Sequence, residues 1–172
     1  MRDIILLEQT LKSGYESLRD HYRVQFETEK NFYLYKEAPQ GVRLMEMGIK
    51  KGSTYPLHDH PQMIVFSLLL KGKVQVTFKD CKLEQPLTSP RIGQSLDLVD
   101  KGSVIANEGD LVWLCHGNNN FHQLDFLTDS VIFDVIINDY DQDGRKMSIM
   151  QPMEPSSNIF SKLTRFVVAD QL

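Results

Sequence analysis

Gly52-Ser53-Thr54-Tyr55-Pro56-Leu57-His58-Asp59-His60-Pro61 is the stretch on which the reading of this chain turns. Side chains alternate along an extended strand, so two histidines one residue apart project from one face. Placed where a strand begins, His58 and His60 are expected to point into one space. A third histidine, His122, lies later in the chain. Three imidazoles on neighbouring positions can hold a divalent ion and leave its opposite face open for chemistry. Nitrogen donors with open positions suit iron, copper, zinc or nickel better than magnesium or calcium. His116 competes with His122 as third ligand, but it approaches the turn Gly117–Asn120, where a turn-stabilising role is expected.

Around this stretch the texture is that of short strands. Runs rich in β-branched and aromatic residues predict strands at Phe32–Lys36, Val42–Ile49, Met63–Leu70, Lys73–Phe78, Ser95–Leu98, Leu111–Leu114, Phe121–Phe126 and Ser130–Ile136. Gly52, Lys71-Gly72, Lys101-Gly102 and Gly109-Asp110 punctuate them as turns. No useful helical period interrupts residues 31–138, so an antiparallel sandwich or small barrel is expected rather than a βαβ fold. Leu83–Gln94, with Pro86, Pro90 and Gly93, reads as a loop between hairpins, and Phe166-Val167-Val168 as a last strand. Ahead of the strands, Ile4, Leu7, Leu11, Tyr15 and Leu18 recur at steps of three and four. That stripe predicts one amphipathic helix over residues 3–20, packed on the main body.

Bulk properties narrow the class. At 172 residues, 41% hydrophobic and 24% charged, the chain has the length and composition of one domain with a sizeable core. A net charge of −4 speaks against nucleic acid or an anionic membrane as the main partner. No run approaches the ~20 apolar residues of a membrane span. Met1–Leu7 carries an acid and too short an apolar stretch for a signal peptide. Only Cys81 and Cys115 are present, so the expected setting is reducing: the cytoplasm, with the nucleus as an alternative. A monomer is expected.

The spacing of Gly52, His58-x-His60 and Gly72 resembles the first signature of the cupin superfamily. Gly109-Asp110, the strand Leu111–Leu114, Gly117 and His122 resemble part of the second. The resemblance implies an all-β jelly-roll barrel. The expected organisation is a single cupin-type domain over residues 1–172, with the helix at 3–20 and the barrel at 31–168. One departure matters chemically. Many cupins place a glutamate ligand four or five residues beyond the second histidine, where this chain has Ile64 and Val65. Three neutral imidazoles leave the full +2 charge on an ion and favour anionic incoming ligands such as a thiolate.

The three-histidine variant, with Leu57-His58-Asp59-His60-Pro61 and Asn120-Phe121-His122-Gln123, resembles the cysteamine dioxygenase and plant cysteine oxidase family of thiol dioxygenases. Asp134, Tyr140 and the pair Gly144-Arg145 follow at that family's separations, so the resemblance spans residues 52–145. It implies Fe(II) on His58, His60 and His122, with a thiol and O₂ as substrates and a sulfinic acid as product. The substrate would be cysteamine or the N-terminal cysteine of a peptide or protein, the latter making an oxygen-sensing enzyme. Asp134 would pair with the substrate ammonium, and the Tyr140 hydroxyl would hydrogen-bond oxygen. Tyr140 reads equally well as an ordinary packed tyrosine. The positions of the cysteine–tyrosine cross-link of animal members match Met147 and Ile149, so that cross-link should be absent.

The alternative function is a non-enzymatic cupin that binds a metal or a small molecule. The three-histidine pattern speaks against it, since a structural zinc normally has four protein ligands. Asp59, between the ligands, is expected to turn away from them toward solvent. Met45, Met47, Met63, Phe66, Trp113 and Phe121 read as core or pocket wall, Cys115 as a small buried residue and Cys81 as a strand-end thiol.

Overall fold

The computed structural model describes residues 2–22, 31–36, 38–81, 92–115, 120–138, 146–153 and 163–171. Among these residues helix α1 (Arg2–Tyr22) precedes eleven strands: β1 (Phe32–Lys36), β2 (Val42–Ile49), β3 (Thr54–His58), β4 (Ile64–Lys71), β5 (Lys73–Cys81), β6 (Ser95–Asn107), β7 (Leu111–Cys115), β8 (Phe121–Phe126), β9 (Ser130–Ile137), β10 (Ser148–Pro152) and β11 (Leu163–Gln171). The expected all-β architecture with an N-terminal helix is what folds.

Two sheets form, and every pairing in them is antiparallel. One is five-stranded, in the order β1-β2-β9-β4-β7. The other runs β10-β11-β6-β5-β8-β3 and closes on itself through β10 and β3. Between the sheets lies the main core, where Met47, Ile49, Leu69 and Ile132 of the first meet Val74, Val76, Phe78, Leu124 and Phe126 of the second.

Helix α1 covers the other face of the five-stranded sheet. Leu7, Leu11, Tyr15 and Leu18, on the predicted stripe, pack against Phe66, Leu68, Leu70, Val131, Phe133 and Val135. Strands β4 and β9 are thus covered on both sides, which is why they read as continuous apolar runs rather than alternating ones. Phe66 and Trp113 stack on this helix side, so they are core and not pocket wall.

Three strands depart from expectation. His58 ends β3 instead of opening a strand, and His60 lies in the segment that follows. Strand β6 runs 13 residues through Lys101-Gly102, where a turn was expected. Gly102, at φ +92°, sits beside a register shift opposite Phe78/Lys79, so the chain bulges there without reversing. Strand β10 comes from a segment with no strand assigned to it from sequence. The turn glycine Gly72, at φ +96°, lies against the Asp129 carbonyl and the Ser130 side chain, so a Cβ there would collide. Most of the expected loop Leu83–Gln94 lies outside the described residues.

Candidate metal centre

His58, at the end of β3, pairs in register with His122 on β8, so adjacent strands present the two rings side by side. Their ring centroids are 4.1 Å apart. The chain turns after His58 and brings the third ring in, with the His60 centroid 5.0 Å from His58 and 5.2 Å from His122. One nitrogen from each ring falls within 4.8 Å of the others, and all three residues are buried. Nitrogens bound to one ion at about 2.1 Å would stand closer, so small ring rotations complete the fit. Among the described residues, this is the group of histidine, cysteine, aspartate and glutamate side chains close enough to hold a metal, and it contains no carboxylate.

The electrostatics suit ligation. Burial lowers His58 to about 4, and burial together with the neighbouring histidines holds His60 and His122 well below the usual histidine range. All three rings are therefore neutral near pH 7, the form that ligates metal. The Pro56 carbonyl lies 2.7 Å from His58 Nδ1, and the Asn120 carbonyl 3.4 Å from His122 Nδ1. A carbonyl only accepts, so these contacts put the proton on Nδ1 and leave Nε2 as the donor toward an ion. Asn120, itself buried, also accepts the His60 backbone N–H through Oδ1 at 3.2 Å, tying the His60 segment to the start of β8.

Asp134 enters from the opposite sheet. In β9 it is the one charged residue in the run Ser130–Ile137, and it is only 4% exposed. It shares the inward-facing parity of Ile132 and Ile136. Across the ladder it lies between Met45 and Ser67. Burial pushes its carboxyl up to about 7, the Ser67 hydroxyl opposing the rise, and Oδ1 has no hydrogen-bond partner. A buried acid with an unused oxygen, in a core of aliphatic side chains, has capacity to accept one further hydrogen bond.

Two further features were missed in the sequence. The Tyr55 ring meets His58 edge to face at a centroid distance of 4.8 Å, and burial, with Tyr33, Tyr35 and Asp134 adding, pushes its hydroxyl up to about 12. Beside His122 a cavity of about 20 Å³ opens between the sheets, lined mainly by aliphatic side chains such as Leu69, Val76, Leu114 and Ile132. That is room for about one water-sized molecule, in surroundings that do not hold water well.

Asp59 corrects its expectation. It turns from the ligand pair, but into protein and not toward solvent, being 1% exposed. Cys115 and Cys81 are half-buried, the latter ending β5 against a small apolar cluster. Tyr140, Gly144, Arg145 and His116 lie outside the described residues.

Comparison with known proteins bears on this geometry. The family model PCO_ADO matches residues 20–159. The chain belongs to the PCO_ADO family. PCO_ADO is the cysteamine dioxygenase and plant cysteine oxidase group, of thiol dioxygenase type, that the histidine motifs resemble. No curated protein matches the sequence. Among solved structures, the chain is similar to a cupin superfamily protein from Desulfitobacterium hafniense, at 10% identity and TM-score 0.47, over 66% of this chain and 82% of that one. It is also similar to KdgF from Halomonas sp., at 13% identity and TM-score 0.47, over 68% and 86% of the two chains. No helix among the described residues is long and apolar enough to cross a membrane.

Proposed function

We propose that this PCO_ADO member is an iron(II)-dependent dioxygenase that adds both atoms of O₂ to the thiol of a 2-aminothiol and yields a sulfinic acid. The carrying observation is the carboxylate-free trio of buried, neutral imidazoles, His58, His60 and His122, in a chain of this family. Neutral donors leave an ion's charge uncompensated, and that favours a thiolate as incoming ligand at neutral pH. Bound iron(II) would supply the open positions and the redox chemistry that join sulfur to O₂.

The chain's own residues do the rest. His58 and His122 hold their rings through carbonyl contacts at Nδ1, so Nε2 is aimed without a rotameric search. Asp134, on β9 of the opposite sheet, accepts from the ammonium that a 2-aminothiol carries two carbons from its sulfur. Its unpartnered Oδ1 and its elevated pKa mark a group that gains a hydrogen bond and a countercharge on binding. The aliphatic walls beside His122 exclude water from the reacting sulfur. Tyr140 takes the oxygen-side hydrogen bond that the family resemblance implies. Cysteamine and a peptide's N-terminal cysteine both meet these requirements, and either acts in a cytoplasmic or nuclear setting.

The test is anaerobic loading with Fe(II), followed by O₂ uptake with cysteamine and with a Cys-initiated peptide. Mass spectrometry should find two added oxygens on the thiol product. Uptake with neither substrate would leave a metal- or ligand-binding cupin and sink the proposal.

A further inference from the structure

The closed sheet joins its ends at one narrow place. Strand β10 pairs with β3 through a single register position, Ile149 opposite His58. Beyond His58 the chain leaves the strand, and ordinary ladder bonding stops. Asp59 takes over at that point. Its backbone N–H donates to the Ser148 carbonyl at 3.3 Å, and its Oδ1 accepts the Ser148 backbone N–H at 2.8 Å. A side-chain oxygen thus stands in for the main-chain acceptor that the next strand residue would have supplied. Both partners are sealed from solvent, Asp59 at 1% and Ser148 at 0% exposure. Asp59 Oδ2 and Ser148 Oγ have no hydrogen-bond partner, so the Ser148 amide makes the directed bond to the carboxylate, with the Ser148 hydroxyl close enough to favour it.

Strand β10 is one arm of a hairpin whose other arm, β11, pairs with β6. The hairpin therefore bridges β6 to the strand that carries His58, and it closes the sheet only if β10 stays docked. Asp59 lies between His58 and His60, so movement of β10 would be felt by both rings. A deeply buried side-chain-to-backbone bond across 89 residues of sequence serves no local turn.

We propose that Asp59 is a positioning residue that couples the metal-binding rings to closure of the sheet by the hairpin β10–β11. The inference rests on the reading of His58, His60 and His122 as metal ligands. Coupling is reciprocal: if a docked β10 favours metal binding, bound metal must favour a docked β10 by the same factor.

Zinc, which is diamagnetic and accepts imidazole ligands, is the probe. Hydrogen exchange of the Ser148 amide is followed by NMR with and without zinc, and zinc affinity is measured by competition with a chromophoric chelator. In the wild-type chain zinc should slow Ser148 exchange. Asp59→Ala should abolish that slowing and weaken zinc binding roughly tenfold to a hundredfold, the range for leaving a buried backbone N–H without its acceptor. Asp59→Asn keeps an oxygen acceptor at the same place and should stay within a few-fold of wild type. Zinc binding without any change in Ser148 exchange overturns the coupling and leaves the three-histidine reading intact. An Asp59→Asn variant as impaired as Asp59→Ala also overturns it, since charge and not the hydrogen bond would then be at work. No zinc binding by the wild-type chain removes both readings. Should Asp59→Ala fail to fold, the wild-type and Asp59→Asn measurements decide.

Discussion

Asp134→Asn tests the site without help from catalysis. In the folded chain burial lifts the Asp134 carboxyl from an ordinary 3.8 to about 7. Between those values the folded protein holds a proton that the unfolded chain has released, so stability falls as pH rises through the window. The penalty is absent below pH 4 and complete above pH 7. Three units at about 1.4 kcal/mol each set its ceiling near 4 kcal/mol, and relaxation around a real carboxylate brings the expected value to roughly 2–4 kcal/mol. Asparagine is nearly isosteric and does not titrate. Urea denaturation of the metal-free proteins should therefore show no gain for Asp134→Asn at pH 4 and a gain of that size at pH 8. The same substitution removes the carboxylate proposed to accept from the substrate ammonium. It should raise KM for cysteamine by about tenfold to a hundredfold, from the ~1.5–3 kcal/mol of a charge-assisted hydrogen bond, and leave KM for 2-mercaptoethanol unchanged. A stability difference independent of pH would refute the titration reasoning. An unchanged KM for cysteamine would refute the ammonium assignment. A stabilising change that costs function is the pattern expected where a fold keeps a buried acid for use.

Glu46 offers a control on the helix-covered face of the five-stranded sheet, paired with Phe133. It is fully buried, both its oxygens lack partners, and burial lifts it from 4.5 to about 7 against the pull of Lys36. Glu46→Gln should add roughly 1–3 kcal/mol at pH 8 and nothing at pH 4, read from urea midpoints, with KM and kcat unmoved. His122→Ala should weaken divalent-metal affinity by more than about a hundredfold, since outer partners of metal ligands alone are worth 10–100-fold; chelator competition measures it, and retained affinity would exclude His122 as a ligand. Gly72→Ala places a methyl group on the Asp129 carbonyl at a φ that alanine rarely adopts, and should cost at least about 2 kcal/mol in urea denaturation. An unaltered midpoint there would mean that the turn rearranges freely.

Much of this was legible because local rules and tertiary demands coincided. The bounds of β1 and β2 match their predicted runs, and the stripe Leu7, Leu11, Tyr15 and Leu18 faces the sheet as a 3.6-residue period requires. The misreadings fall where a local signal was overruled. Pro56 and the close glycine disguised β3, and Pro152 disguised β10. Lys101-Gly102 carried a turn signature, yet the left-handed glycine became a bulge because β5 continues alongside and keeps pairing with β6 on both sides of it.

The candidate ligands were visible as residue types and spacings, since imidazole chemistry and a two-residue interval are written in the chain itself. Alternation along a strand was expected to send Asp59 away from the ligand pair; the side chain does turn away, although the strand ends at His58. What it would meet there depended on Ser148, 89 positions later, and no local rule reports such a neighbour. Glu46 looks like an outward strand residue until the surrounding elements cover it. Composition and periodicity are short-range properties, so they named the donors, the helix face and the strand texture. Which buried acids go unpaired, how the hairpin seals the sheet, and where three rings meet are long-range properties, and they arise only when distant segments pack.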